Sequence, residues 1–111
     1  MSVPLYEAKA EFFRILGHPA RIRILELLSE REHAVHELLE RLPDTIAIEA
    51  SNLSQQLAVL RRADLVVSRR ENGRVIYSVA GADVRDLLAT ARRILTRLEQ
   101  GGQSIGRMPA R

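Results

Sequence analysis

The chain contains no cysteine among its 111 residues, and aromatic residues make up only 4% of it. The lack of cysteine excludes disulfide bonds, thiolate metal ligands and thiol redox sensing within this chain. No stretch approaches the ~18 consecutive apolar residues of a membrane span, and the first residues lack the apolar core of a signal peptide. We therefore expect a cytoplasmic protein with no membrane partner.

Length and composition are those of one small globular domain. With 46% hydrophobic and 28% charged residues, the chain can bury a single modest core and is not expected to be disordered. We predict one domain over residues 1–100, followed by a flexible C-terminal tail over residues 101–111.

Lysine is also scarce, since only Lys9 among the 17 basic residues is a lysine. Residues 1–50 carry 6 basic and 9 acidic side chains, whereas residues 51–79 carry 5 and 2, and residues 80–111 carry 6 and 3. The arginine surplus therefore begins at residue 51. This distribution is expected for a surface that binds phosphates, although a solvated charged surface would give the same balance.

Apolar residues at helical spacing predict a mainly α-helical fold. Pro19 suits a first helical position, and Asp83 is the predicted N-cap of the last helix. The predicted helices cover residues 4–16, 19–28, 34–42, 51–63 and 84–98.

The apolar pattern changes from helical spacing to alternation at residue 65. The alternation predicts two strands, over residues 65–70 and 74–80, and the Asn-Gly pair at 72–73 predicts a tight hairpin between them. Four helices, a hairpin and a last helix suggest a winged helix-turn-helix. In that fold the second helix of the pair enters the major groove of DNA, and the hairpin is the wing.

The predicted fourth helix has an unusually polar outer face. Leu53, Leu57 and Leu60 form its buried stripe, whereas short hydrogen-bonding side chains occupy most other positions. Amides can bond adenine bidentately, and hydroxyls can bond bases or phosphates. An ordinary solvent face is the alternative, but such faces usually favour Glu and Lys. The predicted base-contacting residues are Ser51, Asn52, Ser54, Gln55 and Gln56.

Arginines follow this polar face along the chain. Contacts of these arginines with phosphates or with an adjacent minor groove would add affinity more than sequence choice. For each single arginine, an ordinary solvated surface position is about as well supported. Tyr77, in the second strand, is predicted to pack rather than to stack on a base. The predicted backbone contacts are Arg61 and Arg62 at the helix end, and Arg69, Arg70 and Arg74 around the hairpin tip.

Three segments, "ILGHPARIRILELL", "SNLSQQLAVLRRADLV" and "RRENGRVIYSV", resemble the ArsR (ArsR/SmtB) family of transcriptional repressors. The resemblance covers roughly residues 5–98. It implies a homodimer, built largely from the first and last helices, that binds an inverted-repeat operator of double-stranded DNA and is released by an effector, here unknown. Both helices carry more apolar surface than a monomer of this size easily hides. The predicted interface residues are Leu5, Phe12, Phe13, Leu88, Leu95 and Leu98.

The metal-binding motifs of the family are not intact here. The Cys-Val-Cys motif of its third helix aligns with residues 34–36, Ala-Val-His, and Arg85 stands where the last-helix motif has its first histidine. We therefore predict no metal and no cofactor, and a structural role for His18. His33 and His36 lie three residues apart and could share a helix face, so a metal-responsive repressor stays open beside the simpler account of two surface histidines.

Residues 43–50 form a predicted connection longer than the tight turn usual in this family, which leaves the start of the base contacts open. An enzyme is a poor fit, because no nucleophile–base pair, metal site or glycine-rich phosphate loop is visible. A protein-interaction module is the second alternative, since winged helices also serve as docking domains. The polar helix face and the arginine-edged hairpin favour DNA.

Overall fold

The computed structural model describes residues 3–42, 46 and 50–102. These residues contain the predicted four helices, hairpin and last helix in the predicted order. Most of the predicted 43–50 connection, and the predicted tail beyond residue 102, lie outside the described residues. The elements are α1 (Leu5–Leu16), α2 (Pro19–Glu30), β1 (His33–Ala34), α3 (Val35–Arg41), α4 (Ala50–Arg62), β2 (Val66–Glu71), β3 (Arg74–Val79) and α5 (Ala82–Gln100).

The boundary between α1 and α2 follows the sequence signals. Gly17 caps the end of α1, and Pro19 takes the first position of α2. The His18 Nδ1 atom accepts a hydrogen bond from the backbone N–H of Ala20 at 3.2 Å and so satisfies a donor that the helix itself leaves free. The structural role predicted for His18 is confirmed.

The start of α5 differs from the prediction. Its N-cap is Gly81, so the prediction of Asp83 as N-cap was wrong; Asp83 lies in the first turn, where its charge complements the helix dipole. The Nε atom of Arg85 donates to the carbonyl oxygen of Ser29 at 3.0 Å. This bond ties the first turns of α5 to the last turn of α2.

Strands β2 and β3 form the predicted antiparallel hairpin. Their register runs from Val66 opposite Val79 to Glu71 opposite Arg74, which leaves residues 72–73 as a two-residue turn. Asn72 and Gly73 have φ values of 51° and 77°. A tight hairpin turn of this kind needs positive φ at both central residues, which explains the Asn-Gly pair.

The sheet has a third strand that the sequence did not predict. In β1, His33 pairs with Tyr77 and Ala34 with Ile76, which gives the order β1-β3-β2. The predicted two-stranded wing is thus continuous with a short strand that leads directly into α3, and α3 begins at Val35 rather than at residue 34. Two residues are too few to show a strand periodicity.

The core lies where α2, α3, α4 and the base of the hairpin meet. The predicted stripe of α4 is confirmed, since Leu53, Leu57 and Leu60 are fully buried. Tyr77 is partly buried and packs on this core, as predicted. The α2 and α3 side chains that complete the fully buried centre are Ile24, Leu25, Leu27, Leu28 and Leu38. In the described part of the chain, no helix has the length and apolarity that crossing a membrane needs.

Candidate nucleic-acid interface

The polar face of α4 lies opposite its buried leucines. Ser51, Asn52, Ser54 and Gln55 are exposed, whereas Gln56 is half-buried. Packing of the leucine stripe against α2 and α3 fixes the rotation of α4, so these four side chains face outward together. The arrangement suits a helix that presents hydrogen-bonding groups to a groove.

Gln56 is hydrogen-bonded to Arg21, a residue of α2 that no local sequence pattern indicates as its partner. The Nε atom of Arg21 in α2 donates to Gln56 Oε1 at 2.7 Å, and Gln56 Nε2 donates to Asn52 Oδ1 at 3.1 Å. Arg21 also donates from Nη1 to the carbonyl oxygen of Ile15, at the end of α1, at 3.0 Å. A hydrogen-bonded chain thus runs from α1 through α2 to the exposed face of α4.

Arg69, predicted as a phosphate contact, lies between two carboxylates. Its Nη1 and Nη2 atoms are 2.6 and 2.8 Å from the two carboxylate oxygens of Glu32, and Nη2 is 2.6 Å from Glu71. The hydrogen bonds to Glu32 and Glu71 raise the pKa of Arg69 above its ordinary value. The bond to Arg69 lowers the pKa of Glu32 below its ordinary value. The charge of Arg69 is therefore compensated within the protein.

The other predicted backbone contacts are exposed like Arg69 but lack its carboxylate partners among the described residues. Arg61 and Arg62 are exposed at the end of α4, and Arg70 and Arg74 are exposed beside the hairpin tip. Within residues 3–42 and 50–102, none of these four arginines forms an ion pair. Along the chain, these four positive charges follow the polar face of α4.

His33 is fully buried, so the prediction of a surface histidine was wrong at this position. Its Nε2 atom is 3.2 Å from Nη1 of Arg41, and its Nδ1 atom is 2.8 Å from the carbonyl oxygen of Arg31. Because guanidinium groups only donate, Nε2 accepts and Nδ1–H donates, which occupies both ring nitrogens.

His36 is exposed, as predicted, and lies on α3, whereas His33 lies on β1. The two histidines therefore do not share a helix face. Among the described residues, no three His, Cys, Asp or Glu side chains are grouped so that they could hold a metal ion. The metal-responsive alternative thus lacks a ligand set in this part of the chain.

The predicted dimer surface is apolar and largely open to solvent. Leu5, Phe13 and Leu95 are 70%, 56% and 45% exposed. Phe12 is half-buried and meets the Phe13 ring edge-to-face, with ring centroids 5.4 Å apart. Leu88 and Leu98 are half-buried too, and Tyr6 and Ile94 add exposed apolar area that was not predicted. Such area on one domain is typical of a protein–protein interface.

Residues 16–69, from the end of α1 to the middle of β2, match the family model described as a helix-turn-helix domain. An uncharacterised HTH-type transcriptional regulator of Mycobacterium tuberculosis, Rv0081, is 57% identical over 97 residues, covering 87% of this chain and 82% of that protein. The crystal structure of Rv0081 matches with a TM-score of 0.81 at 55% identity, over 90% of this chain and 97% of that one.

Two further relatives carry family names. The SmtB homolog of Synechocystis, a transcriptional repressor, is 34% identical over 78% of this chain and 63% of its own length. The homodimeric winged helix-turn-helix DNA-binding domain of Mb0332 from Mycobacterium bovis, a possible ArsR-family regulator, matches with a TM-score of 0.68 at 28% identity, over 85% of this chain and 89% of that one. The chain belongs to the ArsR/SmtB family. It is a helix-turn-helix transcriptional regulator, and these relatives are regulators rather than enzymes.

Proposed function

We propose that this ArsR/SmtB-family regulator represses transcription by binding an inverted-repeat operator as a homodimer. The α4 helix would enter the major groove and contact bases through Ser51, Asn52, Ser54 and Gln55. The observation that supports this most directly is their common exposure on one face of a helix whose rotation is fixed by three buried leucines. Gln56, also predicted as a base contact, is half-buried and bonded within the protein, so we assign it a supporting role.

Arg61, Arg62, Arg70 and Arg74 would contact the phosphates on either side of the groove. Their exposure and their lack of ion pairs among the described residues support this role. Arg69 is different, since two carboxylates already hold its guanidinium.

The homodimer would form through α1 and α5. The exposed apolar side chains of both helices support this, as does the homodimeric state of the Mb0332 domain. A dimer with twofold symmetry would present two α4 helices to two half-sites, which accounts for an inverted repeat.

The first experiment is a gel shift against the promoter of the protein's own operon, compared with random-sequence DNA of equal length. Gln55→Ala should weaken operator binding by about 1–3 kcal/mol and change binding to random DNA far less. Gln100→Ala, the same substitution at the exposed end of α5, is the matched control. Equal losses on both DNAs would show that Gln55 touches only the backbone, and no operator binding by the wild type would refute the proposed function.

A further inference from the structure

In the hydrogen-bonded chain Arg21–Gln56–Asn52, the guanidinium group of Arg21 determines which atoms donate and which accept. A guanidinium has donors only, so the Gln56 atom that faces Arg21 at 2.7 Å is the oxygen. The amide group of Gln56 then points towards Asn52, and the Asn52 atom that it meets at 3.1 Å is the acceptor Oδ1. Arg21 thus determines the orientation of both carboxamide groups, that is, on which side each has its oxygen and its nitrogen.

This direction decides what Asn52 offers to solvent. Gln56 lies one turn after Asn52 on α4, so Oδ1 is turned along the helix towards Gln56. Among the described residues no hydrogen bond engages Nδ2, and the side chain is exposed, so we expect the Nδ2 amide group to be the part that faces a ligand. An asparagine that binds adenine bidentately aims both Oδ1 and Nδ2 at the base. Here Gln56 already donates to Oδ1, which occupies one of its two lone pairs and favours an orientation in which Nδ2 leads.

We propose that Asn52 reads hydrogen-bond acceptors in the major groove and prefers guanine to adenine, and that Gln56 and Arg21 are positioning residues that set this preference. The inference rests on the proposed DNA-binding function and deepens it. Guanine presents two neighbouring acceptors, O6 and N7, that can both accept from Nδ2, whereas adenine pairs its N7 acceptor with the N6 amino group, a donor that opposes Nδ2. Arg21, 35 residues before Gln56, therefore influences base choice without touching DNA.

The Gln56→Glu variant tests this mechanism, because it should reverse the direction of the last bond. The introduced carboxylate keeps an acceptor for Arg21 but has no donor for Asn52. It would accept from Nδ2, turn Asn52 over and leave Oδ1 facing the groove. The preference of Asn52 should then move from guanine to adenine or cytosine, whose amino groups donate.

The experiment selects bound sequences from a randomised duplex library with the full chain at one salt concentration. Asn52→Ala identifies the operator position that Asn52 reads, as the position where base preference is lost. At that position we expect guanine in the wild type, and a guanine-to-adenine ratio lower by about tenfold in Gln56→Glu. The ratio is the readout because repulsion between the new carboxylate and the phosphates lowers binding to both sequences and cancels in the ratio.

Two controls separate this inference from simpler effects. Gln55→Glu adds the same charge one residue away, where it does not face Arg21. It should lower affinity and change base choice at the position that Gln55 itself reads, while the guanine preference at the Asn52 position stays. Arg21→Leu should broaden that preference, whereas Arg23→Leu, two residues along α2, should not. A thermal melt of each variant confirms that it is folded.

The outcomes are distinct. A wild type that selects no sequence refutes the proposed function itself. A wild type that selects a sequence overturns the inference about Asn52 if Asn52→Ala affects no position, if adenine is preferred at the affected position, or if Gln56→Glu leaves the ratio unchanged. A tenfold shift that Gln55→Glu does not reproduce supports it.

Discussion

Arg69 and Glu32 form a two-point ion pair that fastens β2 to the segment before β1. Two guanidinium nitrogens of Arg69 lie 2.6 and 2.8 Å from the two carboxylate oxygens of Glu32. The same guanidinium bonds Glu71 on its own strand. All three side chains are about half exposed, so this is a surface ion pair of modest stabilising effect. Arg70 and Arg74, near the tip, have no such carboxylate partners among the described residues.

The first prediction follows from this difference among the wing arginines. Arg70→Ala and Arg74→Ala should each weaken specific and non-specific binding alike, and each should lower the slope of log K against log salt by about 1 for every phosphate that the variant no longer neutralises. Arg69→Ala should change the slope less, because its charge is already compensated by two carboxylates. Titrations of operator and random DNA over a range of salt measure all three slopes. Equal slope changes in the three variants would show that Arg69 also contacts a phosphate.

The second prediction concerns the titration of Glu32. The bond to Arg69 lowers the pKa of Glu32, so the pair stabilises the fold above the unfolded-state pKa and loses this effect as the pH falls through the lowered folded-state pKa. Arg69→Leu should return the pKa of Glu32 towards its ordinary value. NMR titration of the side-chain carboxyl carbons measures the change.

Glu37 provides the internal control for that titration. Its pKa is lowered mainly by the backbone N–H of Ala34, which donates to Glu37 Oε1 at 2.9 Å. In Arg69→Leu the pKa of Glu37 should therefore stay low while that of Glu32 rises. A Glu32 pKa that does not move would mean that the ion pair does not persist in solution.

The third prediction is that the exposed apolar side chains of α1 and α5 hold two copies together. Leu95→Glu and Phe13→Glu should convert a dimer at micromolar concentration into monomers, because each places a charge in an apolar interface. Arg70→Glu, which changes charge on the wing, should remain dimeric. Sedimentation velocity distinguishes the species, and a monomeric wild type with unimpaired DNA binding would contradict the homodimer.

The fourth prediction is that release from DNA does not depend on metal at either of the family's usual sites. Ala34 offers no ligand, His33 is buried with both ring nitrogens bonded, and Arg85 carries a positive charge that repels a divalent ion. Operator binding titrated with zinc, nickel, cobalt and copper should be the same in the wild type and in His36→Ala. Metal-driven release at micromolar concentration that is lost in His36→Ala would make this histidine a sensor.

Features that depend on local spacing could be predicted from the sequence. The stripe Leu53, Leu57, Leu60 repeats at helical intervals, and Asn72-Gly73 supplies the two positive φ values of a tight hairpin, so α4 and the wing are both predictable. The exposed face of α4 follows from the position of that stripe. Its contacts with bases stay predictions.

Features that depend on distant partners could not be predicted. Arg69 shows the same sequence pattern as Arg70, and only the fold brings Glu32 to it across 37 positions. His33 has the sequence surroundings of a surface histidine, because nothing local shows that β1 pairs with β3 and buries it. The bond from Arg21 to Gln56 could not be predicted for the same reason, since no local sequence pattern indicates that these two residues come into contact.

The pairing of β1 with β3 gives the domain little freedom to adapt its shape to a duplex. Since α3 starts where β1 ends, the first helix of the helix-turn-helix is connected directly to the sheet that contains the wing, and α3 in turn packs on α4. In a complex with DNA we would therefore expect the duplex, rather than the domain, to change shape. Base steps between the α4 and wing contacts would then be selected by how cheaply they deform, which adds a sequence preference at positions that no side chain touches.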